Sequence, residues 1–513
     1  MTDEAWPQAA CEPHPAAGPD ALRIAPRRAG RVLTDWSVTI ALVSTAPPPS
    51  RVSANPVERI AADIWVQRRA RGQFPPGPRD FSLARTRTFT HDPLSILLPL
   101  EREHGPIFSL RLLHTQAIFM LGPEANTYVT VKHPKKFHWR ESSFGDLIPL
   151  LGDGLLTIDG AYHDRARRIM MPAFHREHII ASIDVMFEEA NAALAGWQPG
   201  QRVDVYEWTR NLAMRIAMRA LLGLDPDDRG RGEAAAKHFE RALSYYGTDY
   251  VLRMLRGPGS PWWRMHRSRK ILDEILFEEI RSRRAHPRPE SFDILGLLLE
   301  ATDEDGSKLS DQEVRDQAIT LMFAGHDTTT STVSFLLYEL ARHPSELAKL
   351  VAEQDDVLGG SSPDAMALEK ALPRLEMVMD ETLRLYPPAW IGPRRAMEDY
   401  EFAGHTVKKG SYVHYCSWAS HRLPHVFENP EAFVPERFTR ERKTALPRGA
   451  YIPFGGGSRI CVGKRFGQTE VKAIATAVLQ RFRLELVPGS SMRVRQMPTL
   501  SPEGGLEMVV RER

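Results

Sequence analysis

The sequence predicts a mainly α-helical protein with small peripheral β-sheets. Apolar residues recur at the helical period in VERIAADIWVQRRARG, SIDVMFEEANAALAGW, TRNLAMRIAMRALLGL, RKILDEILFEEIRSRRA and ATAVLQRF. Strand-like pieces occupy only two zones, IFSLRLLHTQAIFML and DYEFAGHTVKKGSYVHY, each bounded by turn residues. The 513 residues are 42% hydrophobic and 26% charged, with a formal net charge of +2. That composition supports a large core and gives no support for a nucleic-acid partner.

In chain order, residues 1–52 read as a disordered tail, rich in Pro and Ala (PHPAAGP, STAPPPS) and without periodicity. In RRAGRVLTDWSVTIALVSTA basic residues precede an apolar run, but Asp35 interrupts it and it lies well inside the chain. The run is also shorter than the ~20 residues a spanning helix needs. Neither a secretory signal nor a transmembrane anchor is expected. Cys11, Cys416 and Cys461 are an odd, sparse set that fits a reducing compartment, a bacterial-type cytoplasm, rather than a disulfide framework. Residues 53–513 are expected to form the packed domain.

The most informative helix is LSDQEVRDQAITLMFAGHDTTTSTVSFLLYELARHP. Ser310 and Glu313 form a capping-box pair, and apolar residues from Ile319 to Leu340 cover almost every face, which implies burial. Gly325, His326, Asp327, Thr328 and Thr329 interrupt that run. The Thr328 hydroxyl can reach the Ala324 carbonyl four residues back and open the ladder there. A buried Asp327 is costly without a partner or a role.

Downstream, Glu381 and Arg384 in MVMDETLRLYPPAW share one helical face, with apolar neighbours and Pro387-Pro388 ending the helix. FVPERF adds Arg437. PFGGGSRICVGK then sets Cys461 among glycines. No second Cys is near enough for a structural zinc site, and the loop lacks the Gly and the Ser/Thr of a phosphate loop. A nucleophilic role would require a spatially adjacent base. The remaining reading is a lone thiolate held by a glycine-rich loop at a helix start.

Together these residues resemble the cytochrome P450 family of haem-thiolate monooxygenases. The family's F-x-x-G-x-R-x-C-x-G loop is matched by Phe454, Gly457, Arg459, Cys461 and Gly463. Its A-G-x-D-T-T motif is matched by Ala324, Gly325, Asp327, Thr328 and Thr329, its E-x-x-R by Glu381 and Arg384, and its P-E-R-F by Pro435 to Phe438. All four stand in family order, over roughly residues 53 to 513.

The resemblance implies the cytochrome P450 fold and one haem b with Cys461 as its iron ligand and O2 as co-substrate. Phe454 and Gly463 belong to the same loop. Arg459 would pair with a propionate, and His163, Arg167 and Arg394 occupy further propionate positions, with Arg395 one residue away from the last. Asp327 and Thr328 resemble the proton-delivery pair, and His326 fills a variable position. Glu381, Arg384 and Arg437 are expected to be structural. Pocket-wall positions are Phe323, Ala324, Ala389, Trp390, Ile391 and Leu500. The implied reaction inserts one oxygen atom into a lipophilic substrate (fatty acid, terpenoid, steroid-like ring or polyketide). The alternatives are a peroxygenase or isomerase relative and a non-catalytic haem binder.

Electrons are expected from a ferredoxin or flavodoxin-type donor with its reductase, docking on a basic patch of Arg165, Arg168, Lys464 and Arg465. By family order YVLRMLRGPGSPWWRMHRSRK is a lid over the substrate entrance. Its Trp262, Trp263 and flanking cations allow at most a peripheral membrane contact.

Overall fold

The computed structural model describes residues 56–69, 74–248, 250–288, 293–361 and 363–513. The tail expected over residues 1–52 lies outside the described residues.

The long helix Asp311–Arg342 forms the spine of the fold, and nearly all of it is buried. Its start is set by the capping box: the Glu313 N–H donates to Ser310 Oγ at 3.3 Å, and the Ser310 N–H to Glu313 Oε2 at 2.8 Å. In its middle the hydroxyls of Thr328, Thr330 and Thr332 donate to the carbonyls of Ala324, His326 and Thr328 at 2.7, 2.8 and 2.9 Å. The expected opening of the ladder is absent, because each hydroxyl is satisfied by the preceding turn while the helix continues unbroken through Gly325.

Helices Val205–Ile216, Pro261–Ala285, Pro373–Leu385 and Lys464–Leu479 pack against this spine and share its apolar core. The helical periodicity marked Val205–Ile216, Pro261–Ala285 and Lys464–Leu479 in part, and Pro373–Leu385 was marked only by its Glu381–Arg384 pair. The stretch expected to run as one helix to Leu224 instead passes from the Val205–Ile216 helix into a wider turn, Ala217–Leu222, which ends at left-handed Gly223.

Five strands form the main sheet, in the order Ile107–Leu112, Thr115–Met120, Tyr412–Cys416, Ile391–Ala396 and Phe137–His138. The first two make an antiparallel hairpin, Thr115–Met120 runs parallel to Tyr412–Cys416, and Arg394 pairs with Val413. The two expected strand zones hold strands, but they are not all of the β structure. Ile391–Ala396 and a sheet of Arg202–Asp204, Glu507–Glu512 and Phe482–Leu486 lie outside them. Pro393 and the adjacent arginines hide the first from pattern reading, and pairing with Tyr412–Cys416 fixes it as a strand.

Candidate active site

A cavity of about 800 Å³ opens between the long helix, the main sheet and the cysteine loop, within the size range of small-molecule sites. Its wall includes both Cys461 and Thr328. The Cys461 N–H donates to the Phe454 carbonyl at 3.0 Å, which closes the loop on itself. Gly457 has φ +64°, and a Cβ there would lie 2.0 Å from the Thr130 carbonyl oxygen, so this turn requires glycine.

Cys461 is exposed, and the surface it exposes is cavity wall. Surrounding protein still pushes its thiol pKa up by burial. The Gly463 N–H and the charges of Arg167 and Lys464 oppose that shift and favour thiolate. Gly463 is also the N-cap of helix Lys464–Leu479, where no side chain caps the first N–H groups. That leaves the positive end of the helix available to the loop.

One end of the cavity is cationic. Arg459 donates to Asp159 Oδ1 at 2.5 Å and to the Ile158 carbonyl at 2.8 Å, and burial pushes its pKa down to about 10. Trp139 sits between two guanidinium groups, Arg394 at 3.9 Å and Arg459 at 5.0 Å from its ring centre. Arg395 turns the other way, to Asp63 at 3.2 Å and over Tyr412. His163 and Arg167 line the cavity. Burial, then the Arg459 charge, pushes His163 down to about 4, so it is neutral at pH 7. The Arg167 side chain makes no hydrogen bond or ion pair among the described residues.

These features fit a haem. A thiol, the Arg167 guanidinium without a side-chain partner and Arg459 line one mostly apolar cavity, Arg394 lies buried over Trp139 and off the wall, and a dianionic porphyrin edge would supply the missing partners.

On the long helix, Phe323, Ala324 and Thr328 are wall residues, as are Ala389, Trp390 and Ile391. Leu500 is not: it is fully buried behind the wall, its N–H held by the Pro388 carbonyl at 3.1 Å, and Met497, Pro498 and Thr499 take the wall position. Asp327 faces away from the cavity, where Arg210 Nη1 donates to its Oδ1 at 3.2 Å. Burial raises its carboxyl to about 6 against the pull of Arg210.

Sequence reading missed Glu470, a buried carboxyl on helix Lys464–Leu479 that lines the cavity and accepts the Thr329 hydroxyl at 2.8 Å. Burial raises its pKa to about 8. Its one sequence signal is a lone acid amid the apolar residues of that helix.

Glu381, Arg384 and Arg437 lie off the cavity wall. Glu381 accepts two bonds from Arg384, at 2.7 and 2.8 Å, and lies 3.4 Å from Arg437 Nε. Arg384 also donates to the carbonyls of His421, Pro430 and Ala432. The Ile452 N–H donates to His421 Nε2 at 3.0 Å, so Nδ1 carries the ring proton and donates to the Arg384 carbonyl at 3.2 Å. This brace ends one residue before the cysteine loop.

Two surface expectations change. Arg165 pairs with Glu313 at 2.9 Å and Arg168 with Asp303 at 2.8 Å, so both are neutralised within the protein and leave the basic patch. In the expected lid, Trp262 turns inward to the cavity wall, whereas Trp263 is exposed beneath Arg267. No described helix is long and apolar enough to cross a membrane.

The Cytochrome P450 family model matches residues 73–509. The chain is 34% identical to cyclooctat-9-en-7-ol 5-monooxygenase of Streptomyces melanosporofaciens, over 86% of this chain and 94% of that protein. It is 32% identical to cyclooctatin synthase of the same organism, over 81% and 91%. Among solved structures, retinoic acid bound cyanobacterial CYP120A1 is similar at a TM-score of 0.77 and 30% identity, covering 86% of this chain and all of that one.

Proposed function

The chain belongs to the cytochrome P450 family of haem-thiolate monooxygenases, which use O2, a redox partner and a lipophilic substrate, and from that premise we propose a terpenoid hydroxylase. The observation that carries the reading is the single cavity walled by both Cys461 and Thr328. Two relatives are named for cyclooctatin chemistry and one structural neighbour was solved with retinoic acid, which favours terpenoids over fatty acids, steroid-like rings and polyketides.

Residues 53–513 would form the catalytic domain, with Cys461 as ligand of a haem b. Arg459, Arg167, Arg394 and His163 would hold its propionates, and Phe454 and Gly463 would shape the loop beneath it. When bound through Cys461, a haem would supply the O2-activating chemistry of the reaction, in which one oxygen atom enters a substrate C–H bond and the other leaves as water with two electrons from the redox partner and two protons. Phe323, Ala324, Ala389, Trp390 and Ile391 exclude water and orient the apolar substrate. Asp327, its carboxyl raised to about 6, would take up and release a proton close to neutral pH, and Thr328, the next residue and on the wall, would pass it to the site. A ferredoxin or flavodoxin supplies the electrons.

The test is turnover in isotopically labelled O2, with cyclooctat-9-en-7-ol and retinoic acid as first substrates and a surrogate ferredoxin and reductase. One labelled oxygen per product is expected. Thr328→Ala should retain haem and substrate binding, lose about an order of magnitude in product per reduced cofactor, and release peroxide. Product oxygen drawn from water, or unchanged coupling in the variant, contradicts the reading.

A further inference from the structure

His414 lies on Tyr412–Cys416, the middle strand of the main sheet, and lines the cavity. Its ring stacks on Phe119 of the neighbouring strand, with centres 5.1 Å apart and planes 20° from parallel. The Ile118 carbonyl is its hydrogen-bond partner, and Nδ1 is buried with no partner of normal geometry.

We infer that His414 is a substrate-binding residue whose unpaired ring nitrogen accepts a hydroxyl, so that the substrate is an alcohol of otherwise apolar surface. The inference rests on, and narrows, the reading of this cavity as the substrate site of a terpenoid hydroxylase.

Burial pushes the His414 pKa down to about 4, and the Arg394 charge adds to that shift against the Ile118 bond. The imidazole is therefore neutral at pH 7, with one N–H and one lone pair. A carbonyl only accepts, so Ile118 takes the N–H. Whichever nitrogen serves it, the other is an acceptor, and only a donor can satisfy it. None comes from the surrounding elements. Phe119 and Pro393 are the residues paired beside His414, and neither side chain holds a donor. On its own strand and face, the Tyr412 hydroxyl donates to the Asp63 carboxylate, 2.9 and 3.0 Å from its two oxygens. Cys416 Sγ accepts the Ala419 N–H at 3.4 Å. Arg394 belongs to the opposite face, over Trp139, with its Nη1 on the Pro393 carbonyl at 2.8 Å.

An acceptor left unmet in an apolar wall costs free energy, and that cost falls on whatever fills the cavity. A hydrocarbon leaves the nitrogen unsatisfied, or displaces a water without replacing its bond, whereas an alcohol restores the bond. A carboxylate offers no donor and is not preferred at this position. Phe89 and Trp390, with ring centres 6.2 Å apart on the same wall, supply apolar surface for the rest of the molecule. Phe89 also meets Phe119 at 5.7 Å, which sets His414 at the edge of an aromatic stretch.

The test is spectral titration of the haem-loaded protein with cyclooctat-9-en-7-ol and with the same ring system lacking the hydroxyl. Wild type should bind the alcohol about tenfold more tightly than the hydrocarbon. His414→Phe, which keeps the stack on Phe119, should remove that preference by weakening the alcohol alone. His414→Gln, with an amide N–H for Ile118 and a carbonyl for the hydroxyl, should keep most of it. Nitrogen NMR of labelled histidine, in the ferrous carbon-monoxide complex, should show the His414 acceptor nitrogen shifting with the alcohol and not with the hydrocarbon. Equal binding of the two ligands by wild type, or a preference that survives in His414→Phe, overturns the inference. If His414→Phe fails to fold, the wild-type nitrogen decides, and a signal unmoved by the alcohol overturns it. Dodecanol and dodecane keep the two readings apart. If only that pair binds, the terpenoid reading fails, while its hydroxyl preference in wild type and His414→Phe still judges His414.

Discussion

Glu470 and Cys461 lie on the wall of the same cavity, and the sequence revealed them unequally. Cys461 was marked out because no second Cys stands near it and its glycine-rich loop lacks the Gly and the Ser/Thr of a phosphate loop, which excludes two commoner roles. Glu470 was not, because a lone Glu on a helix ordinarily belongs to a solvated face, and only packing shows this one buried. Its carboxyl sits near 4.5 when unfolded and at about 8 in the folded protein. The folded state therefore loses stability as pH rises from about 4.5 through 8, where the unfolded chain ionises first. Glu470→Gln should remove that loss, on the order of a few kcal/mol. The melting temperature of the variant relative to wild type should climb between pH 5 and 8 and then level off. A difference that is flat with pH would show that Glu470 ionises normally. Arg394 and Arg395 give the same lesson. Sequence left the choice between them open by one position, and the strand sends them to opposite faces, Arg394 over Trp139 and Arg395 to Asp63.

At the scale of elements, the helices were legible from periodicity and capping, and strands built by tertiary pairing were not. The Glu381–Arg384 spacing marked a contact and its apolar neighbours pointed to burial, which is complete in the structure and decides its energetics. Exposed pairs contribute little, whereas breaking a buried one leaves an uncompensated charge and costs about 3–5 kcal/mol. Arg384→Lys should cost that much in denaturant unfolding, because an ammonium cannot reproduce a fork that reaches Glu381 and three carbonyls. The purified variant should also carry less haem, since His421 couples the same brace to Ile452 at the edge of the cysteine loop. Arg437→Lys should cost much less, as its contact with Glu381 is long, at 3.4 Å, and Arg384 already satisfies that carboxylate. Full haem content and wild-type unfolding in Arg384→Lys would show the brace to be dispensable.

At the scale of the whole molecule, the near-neutral net charge hides where the cations are free. Folding pairs Arg165 and Arg168 with acids, which no linear reading could reveal, while Arg465 is exposed beside the cysteine loop. Lys464 lies over the Phe454 ring. Exposed Lys132 stands on a turn packed against the same loop. Charge reversal at Lys464 and Arg465 together should slow reduction by a ferredoxin several-fold at low salt, and the difference should fade near 0.1 M, where charges are screened over ~10 Å. Arg165→Glu should have little effect on the salt dependence. Equal effects from both variants would move the docking surface elsewhere.

The central claim is that one haem is held through the Cys461 thiolate. Its most direct test is the absorption spectrum of the reduced carbon-monoxide complex, recorded for wild type and for Cys461→His. The red-shifted Soret band of thiolate ligation is expected for wild type. The histidine variant should show the imidazole-type band with no turnover. An imidazole-type band from intact, active wild-type protein would contradict the assignment.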